Sequence, residues 1–502
     1  MSDIIITKKN ESYIRVTSDD KGALYELNEH FIFDVPGAKF TPKFKAKVWD
    51  GKIKLYSLSK QEIYAGLFDS VVDFCRIRDY DVVLKPSPVY GIPGQQANII
   101  PEDVVAYIKS LNLHSRGEPI EFRDYQYKAV YEALKHKRLT LQSPTGSGKS
   151  AIAYCIIRYI LDHHDMRSLV IVPTTALVVQ MFKDFADYST HNGFDVDENV
   201  AIIMSGYEKD VTKNICISTW QSIYKLPPAW FNKYDMIICD EVHLAKADSI
   251  RGVMEKATDV SYRIGMTGSL DGSKTNGLVI QGLFGKIEKV SSTRELIDEG
   301  HLSEIEIKCL VLQYNNETRH LLKNADYRLE IEFIVSHERR NKFIRNLALS
   351  LDGNTLLLYT LVEKHGEILF NMIKDKAGER AVHFVHGGVD TDDRDAVRGI
   401  MEKSKNCITV ASVGTMSTGS NIRNIHNIIL ASPTKSVIRV LQSIGRGLRK
   451  TDDEVALTVY DISDQINKSK TKMNFTYSHF VERLKIYTKE EFQYSIIEVP
   501  IE

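Results

Sequence analysis

The chain has 502 residues, 43% hydrophobic and 26% charged, with 65 basic and 66 acidic side chains and a formal net charge of −1. That length is too great for one core and points to roughly three soluble globular domains. So even a charge balance excludes a uniformly basic nucleic-acid binder, and any contact with a polyanion must come from local clusters of lysine and arginine.

Cys75, Cys155, Cys216, Cys239, Cys309 and Cys407 are scattered singly, with no Cys-x-x-Cys pair and no histidine at zinc-finger spacing. They read mostly as buried small residues. The N-terminus lacks a signal-peptide layout, and no uninterrupted apolar run approaches the ~20 residues of a bilayer span, so a cytoplasmic protein is expected.

The first patterned element is Phe44 to Tyr56, which alternates with period two around Asp50-Gly51, the preferred two-residue hairpin turn. Counting outward pairs Trp49 with Lys52, Val48 with Ile53, Lys47 with Lys54, Ala46 with Leu55 and Lys45 with Tyr56. One face is apolar, and the other sets Lys47 opposite Lys54 with Lys45, Lys52, Trp49 and Tyr56 around them. Like charges in cross-strand register cost roughly a few tenths of a kcal/mol. An anionic cover relieves that cost: a DNA backbone over the lysines, with Trp49 or Tyr56 stacking on an unpaired base. The competing reading is a solvated edge hairpin whose lysines block aggregation.

Repeated proline and glycine in Lys85 to Gly94 mark a linker, so a small domain spans 1–95. From Pro101 onward helical patterns alternate with short apolar runs at Leu139 to Leu141, Ser168 to Val172, Val200 to Met204, Asn214 to Ser218 and Met236 to Cys239. That order predicts βα units and a parallel sheet over 96–290. A second series at Thr355 to Tyr359, Ala381 to Val385, Cys407 to Ala411, Ile425 to Leu430 and Ala456 to Tyr460 predicts another α/β lobe over 291–455. The polar stretch Asn315 to Arg340 leads into that lobe, and 456–502 forms a C-terminal strand and helical extension.

After the strand Leu139 to Leu141, the loop Thr145-Gly146-Ser147-Gly148-Lys149-Ser150 opens a helix, so backbone N–H groups and the helix N-terminus can cradle phosphates. Lys149 would reach the β- and γ-phosphates and Ser150 would ligate Mg²⁺. Ser143 stands where the general pattern has glycine. The buried-strand pattern Met236 to Cys239 ends in Asp240-Glu241-Val242-His243, at the carboxyl end where ligands collect in parallel sheets. Asp240 suits the Mg²⁺ and Glu241 suits the attacking water. Far along the chain, Gln442, Arg446 and Arg449 lie in Gln442 to Arg449, and two arginines one helical turn apart can reach a γ-phosphate from a second lobe.

Together these segments resemble the ordered motifs of superfamily-two helicases, from about Phe122 to Lys450. The resemblance implies two RecA-like parallel-sheet lobes in tandem behind a small α+β N-terminal domain, with ATP and Mg²⁺ as cofactors. It implies nucleotide contacts from Arg123 and Gln126, with Gln126 as base reader, ahead of Thr145 to Ser150. It implies backbone contacts to DNA from Pro173, Thr174 and Thr219 in the first lobe and from His386, Gly387, Thr418 and Gly419 in the second. His243, Thr267 and Ser269 would couple hydrolysis to strand contact. Hydroxyls and glycine amides suit such work, since they bind phosphate oxygens without reading bases. Two departures stand out: Thr267-Gly268-Ser269 replaces the usual Ser-Ala-Thr, and Asn421 replaces an aspartate common among relatives.

The whole-chain layout resembles the bacteriophage branched-DNA helicases of that superfamily. That implies ATP-driven, 3′ to 5′ remodelling of forks, Holliday junctions, displacement loops and RNA–DNA hybrid loops in recombination, repair and replication control. The partners implied are single-stranded and branched duplex DNA and RNA–DNA hybrid. Two alternatives remain at this stage, a duplex translocase that moves without separating strands and a passive clamp, and Glu241, Arg446 and Arg449 together weigh against the clamp. Toward the C-terminus, Lys468, Lys470, Lys472, Tyr477, Phe480, Leu484 and Tyr487 predict a basic approach to an amphipathic helix packed on the second lobe.

Overall fold

The computed structural model describes residues 3–35, 37–144, 146–204, 206–209, 211–243, 248–268, 274–300, 304–387, 399–400, 403–416, 424–432, 457–467 and 473–501. The chain divides into two compact units, Met1–Ser143 with Ser147–Ser291, and Ser292–Glu502 with Pro144–Gly146. The small N-terminal domain and the first lobe thus form one unit.

The N-terminal domain is built on strands β1 (Asp3–Lys8), β2 (Tyr13–Thr17), β3 (Ile32–Asp34), β4 (Lys52–Lys54), β5 (Tyr56–Ser57), β6 (Glu62–Tyr64) and β7 (Asp81–Lys85). Five of them form a mixed sheet in the order β5-β6-β2-β1-β7, while β3 pairs separately with β4. Period-two alternation sets one face: Ile4, Ile6, Ile14 and Val16 are buried. Helices Lys21–His30, capped by the Asp20 carboxylate, and Phe68–Ile77 contribute Leu27, Val71 and Phe74 to the same core.

The hairpin expected over Phe44 to Tyr56 does not form. The Thr41 hydroxyl accepts from Phe44 N–H and Pro42 occupies the first helical position, so Pro42–Lys45 coils into a short helix. Lys47 then takes a left-handed conformation, φ +55°. Lys52–Lys54 pairs instead with Ile32–Asp34, which sets Asp34 opposite Lys52, while Lys54 bonds Asp50 at 3.0 Å. The like-charge pair Lys47/Lys54 that the hairpin would force is replaced by opposite charges, the cheaper arrangement. Val48 is 79% exposed, so the expected apolar face is absent, and Tyr56 is buried with its hydroxyl donating to the Val16 carbonyl, which removes it from any stacking role.

A short antiparallel pair, β8 (His114–Ser115) and β9 (Glu118–Pro119), precedes the first lobe. That lobe contains β10 (Arg138–Gln142), β11 (Ser168–Val172), β12 (Val200–Ile203), β13 (Ile215–Thr219), β14 (Met236–Asp240), β15 (Tyr262–Thr267) and β16 (Ile287–Lys289). All pairings are parallel, in the order β12-β13-β11-β14-β15-β10-β16. The central strands are apolar on both faces because helices cover both, and β11, β13, β14 and β15 are buried throughout.

The second lobe repeats the plan with β17 (Ile305–Tyr314), β18 (Thr355–Tyr359), β19 (Ala381–Val385), β20 (Cys407–Ser412), β21 (Asn427–Leu430), β22 (Leu457–Gln465) and β23 (Gln493–Ile501). These also run parallel, in the order β19-β20-β18-β21-β22-β17-β23. Two RecA-like lobes behind a small α+β domain are therefore present. β15, β16, β17 and β23 complete the two sheets beyond the strands that apolar runs predict. The helix Phe475–Lys489 packs Phe480 and Tyr487 into this lobe, where its Arg483 meets Asp461 of β22 at 2.8 Å. All six cysteines are free and buried, and no described helix is long and apolar enough to cross a membrane.

Candidate ATP and nucleic-acid site

Parallel strands bring their carboxyl ends to one edge, and in the first lobe that edge gathers the residues with chemistry. β10 lies between β15 and β16, so the loop leaving Gln142 starts beside Thr267. The Ser143 N–H donates to the Thr267 carbonyl at 2.9 Å, which joins the phosphate loop to the coupling segment by a backbone bond. Ser143, the departure from glycine, is buried and donates its hydroxyl to Ser147 Oγ at 2.5 Å. Its side chain closes the loop from inside.

Gly146 and Gly148 have φ of +86° and +83°, a conformation other residues adopt only under strain. A Cβ on Gly148 would also lie 2.3 Å from Gln126 Nε2. Gln126 is buried: its Oε1 accepts from Arg123 N–H at 2.9 Å and its Nε2 donates to the Ser147 carbonyl at 2.8 Å. The Arg123 guanidinium donates to Tyr125 Oη, which donates in turn to the same Ser147 carbonyl. Lys149 opens the helix Lys149–His164 and donates to the Ser143 carbonyl at 3.1 Å, while Ser150 Oγ shares a 2.8 Å bond with Tyr188 Oη. Tyr125 and Tyr188 are thus parts of the site to which the sequence assigned no role; they meet the loop only through the fold. Thr145 lies outside the described residues.

At the end of β14, Asp240 is buried and Glu241 is half-buried. Burial, with the adjacent Glu241 charge, raises the Asp240 carboxyl above its ordinary range, against the pull of Lys149. Burial opposes ionisation of Glu241 too, yet hydrogen bonding to His243 and the charge of Lys149 hold it below the ordinary range. Glu241 adopts φ +53°, a strained backbone for a non-glycine residue and one found at functional sites. His243 Nδ1 lies 3.1 Å from both Glu241 Oε2 and Thr267 Oγ1, so His243 physically links the acid to the end of β15. Ser269 lies outside the described residues.

The donor set suits a nucleotide with a divalent cation: a cradle that a single Cβ would fill, an ammonium, a hydroxyl, and two adjacent carboxylates at the end of β14. MgATP is therefore compatible with the residues present.

The first-lobe residues expected to contact a DNA backbone stand at the carboxyl edge of that lobe's own sheet. Thr174 caps the helix Thr175–Tyr188 by accepting from Leu177 N–H at 3.3 Å, Pro173 is buried, and Thr219 is buried with its hydroxyl 2.9 Å from Ser222 Oγ. Their neighbours Thr175 and Gln221 are exposed. In the second lobe His386 and Gly387 follow the carboxyl end of β19, and Gly387 is exposed. Thr418, Gly419, Gln442, Arg446 and Arg449 lie outside the described residues. In the N-terminal domain, Lys39, Lys45, Lys47 and Lys54 line an open groove of about 920 Å³ with Phe44, Val48, Trp49 and Asp50. The Trp49 ring is held by Nε1–H donating to the Lys52 carbonyl at 2.8 Å. Of the lysines expected on a hairpin face, Lys45, Lys47 and Lys54 gather around an aromatic groove instead, and Lys52 is not among the residues that line it.

Two RecA-like sheets with this loop and this acid pair define an ATP-dependent nucleic-acid motor of the helicase class. Residues 3–85 match the family described as DNA helicase UvsW, N-terminal, and residues 119–271 match Type III restriction enzyme, res subunit. The chain is 32% identical to the ATP-dependent DNA helicase uvsW of Enterobacteria phage T4 over 98% of each chain, and the crystal structure of T4 UvsW superposes with a TM-score of 0.52, covering 100% of both chains at 31% identity. The chain belongs to the UvsW family of ATP-dependent DNA helicases. It is also 29% identical to the DNA 3′-5′ translocase XPB2 of Sulfurisphaera tokodaii, over 42% of this chain and 45% of that one. The Type ISP restriction-modification enzyme LlaBIII bound to DNA shares the fold at 15% identity, with a TM-score of 0.57 over 77% of this chain and 32% of that one.

Proposed function

We propose that this helicase drives unwinding and branch migration of branched DNA, including forks, Holliday junctions, displacement loops and RNA–DNA hybrid loops, in recombination, repair and replication control inside a host cell's cytoplasm. The observation that carries the reading is likeness to the phage helicase over 98% of each chain, N-terminal domain included. Movement 3′ to 5′ is in keeping with the name of the archaeal translocase.

Within the site, the Gly146 to Gly148 amides and Lys149 would hold the phosphates, and Gln126 with Arg123 the base. Mg²⁺, held by Ser150 and Asp240, would supply charge neutralisation at the β- and γ-phosphates. Glu241, kept ionised beside His243 and Lys149, orients a water and takes its proton. Thr267 lies one hydrogen bond from His243 and one from Ser143, so a shift in either reaches β15. Gln442, Arg446 and Arg449 would complete the site from the second lobe. Pro173, Thr174, Thr219, His386, Gly387, Thr418 and Gly419, with Ser269 as a coupling residue, would track the DNA backbone. Lys45, Lys47, Trp49, Lys52 and Lys54 would grip a DNA arm, with Trp49 rather than Tyr56 as the stacking ring.

A panel of single strands, blunt duplexes, forks, four-way junctions and RNA–DNA loops, scored for both hydrolysis and product, tests the reading. Strand displacement from forks and junctions supports it. Hydrolysis on blunt duplex with no displaced product on any substrate would instead identify a duplex translocase.

A further inference from the structure

Three parts of the N-terminal domain press into the first lobe. The turn between β1 and β2 enters first: Glu11 N–H donates to the Thr258 carbonyl at 2.7 Å, Ser12 Oγ donates to the Met254 carbonyl at 3.0 Å, and the Arg138 guanidinium donates to the Glu11 carbonyl. Next, Tyr64 Oη donates to Glu255 Oε1 at 2.5 Å. Last, backbones meet without room for a side chain, since a Cβ on Gly66 would stand 2.1 Å from the Gln281 carbonyl and one on Gly282 would stand 2.9 Å from the Tyr64 ring. The proline- and glycine-rich segment after β7 is itself pinned, with Tyr90 Oη donating to Asp259 Oδ1 at 2.8 Å. One apolar core runs through both parts, from Ile4, Ile6 and Phe74 to Ile237, Met254 and Phe284.

Arg263 of β15 sits at the centre of this seat. Its guanidinium is 1% exposed, and its hydrogen-bond acceptors are the Val260, Met254 and Ala257 carbonyls and Ser12 Oγ. A buried cation that relies on backbone carbonyls and one hydroxyl tolerates little displacement of any of them, because each lost acceptor strands a charged donor. Four residues further on, β15 ends at Thr267. Met254 and Glu255 lie on the helix Asp248–Lys256 that follows the Asp240 block, and Gln281 and Gly282 on the helix Lys274–Phe284 that follows the Thr267 block.

We propose that Arg263 is a positioning residue of the motor: it fuses the N-terminal domain and the first lobe into one rigid arm, so DNA held in the lysine groove is carried with β15. This rests on the reading that the groove grips DNA. The opposite mechanism is a hinge at residues 86–94 that opens in each cycle.

The Glu11 N–H bond to the Thr258 carbonyl brings the two backbones together at one point, so a disulfide joining these positions would lock the seat closed. The native cysteines stand singly and buried, so in the double variant Glu11→Cys/Thr258→Cys the introduced pair is the one placed to bond on mild oxidation, and mass spectrometry without reductant confirms the bond before unwinding is measured. Fork unwinding by the oxidised protein within threefold of the same protein reduced is the expected result, and a larger loss on oxidation overturns the rigid arm. Conversely, Ser12→Ala/Tyr64→Phe is expected to keep DNA-free ATP hydrolysis and fork affinity within twofold while base pairs opened per ATP fall at least fivefold. Coupling within twofold of wild type would overturn the positioning role. Lys45, Lys47 and Lys54→Gln separates the two readings: unchanged DNA affinity and salt slope in that variant would remove the grip, while the oxidation result would still decide the rigidity of the arm.

Discussion

At the scale of single residues, Gly148 concentrates the demands of the ATP site. Its φ of +83° suits glycine, and the space where a Cβ would go is held by Gln126 Nε2. Gly148→Ala therefore incurs left-handed strain of roughly 1–2 kcal/mol and displaces Gln126 from the Ser147 carbonyl. The expected outcome is an ATP KM raised about tenfold or more with the overall fold retained, read by nucleotide titration beside circular dichroism; an unchanged KM would mean that Gln126 does not set the loop. Ser143 teaches a complementary lesson. In the sequence it is a missing glycine, and in the fold it is a hydroxyl that ties the loop to Ser147 and a backbone N–H that ties it to Thr267. Residue type was readable from the motif; which internal bond replaced the glycine was not.

At the scale of elements, the parallel strands of both lobes were readable because buried β-strands in α/β layers are continuous apolar runs with sharp ends, as in Met236–Asp240 and Thr355–Tyr359. The hairpin failed because Asp50-Gly51 carries a turn signal without saying which strand receives Lys52–Lys54. Thr41 and Pro42 are a helix-start signal that the period-two count over Phe44 to Tyr56 passed over. A long-range partner, Ile32–Asp34, then outcompeted the local one. The C-terminal helix is fixed by chemistry that periodicity cannot reveal. Arg483 Nε and Nη2 each donate to Asp461 at 2.8 Å, Tyr487 Oη donates to the same carboxylate at 3.0 Å, and Asp461, against the effect of burial, holds Arg483 well above the ordinary arginine range. Removing one partner of such a pair costs about 3–5 kcal/mol, whereas replacing both with apolar residues is often neutral. Arg483→Met should thus lower the opening free energy of Phe475–Lys489 in hydrogen exchange by about that much. Arg483→Met/Asp461→Leu should recover most of it, and equal loss in both would show that the pair's charge is needed for more than mutual neutralisation.

At the scale of the whole molecule, a near-zero net charge means that neither nucleotide nor DNA is held by a general field, so each half of the motor must bring its own local charges. The first lobe brings Lys149, Asp240 and Glu241 to one edge, with His243 and Thr267 leading away from it. Arg446 and Arg449, which follow all of these residues along the chain, are the charges proposed to answer it. If they act on the transition state, they contribute to turnover and not to ground-state affinity. Lys149→Ala is then expected to abolish hydrolysis, whereas Arg446→Ala keeps nucleotide affinity within about threefold while single-turnover hydrolysis falls on the order of a thousandfold. Fluorescence titration with a nucleotide analogue and quench-flow hydrolysis on a fork measure the two quantities separately. DNA-stimulated hydrolysis within tenfold of wild type in Arg446→Ala would place the completing charge elsewhere, with Arg449→Ala the next variant to make. A parallel loss of affinity and turnover would instead make Arg446 a binding residue, because only a contact strengthened in the transition state lowers one without the other.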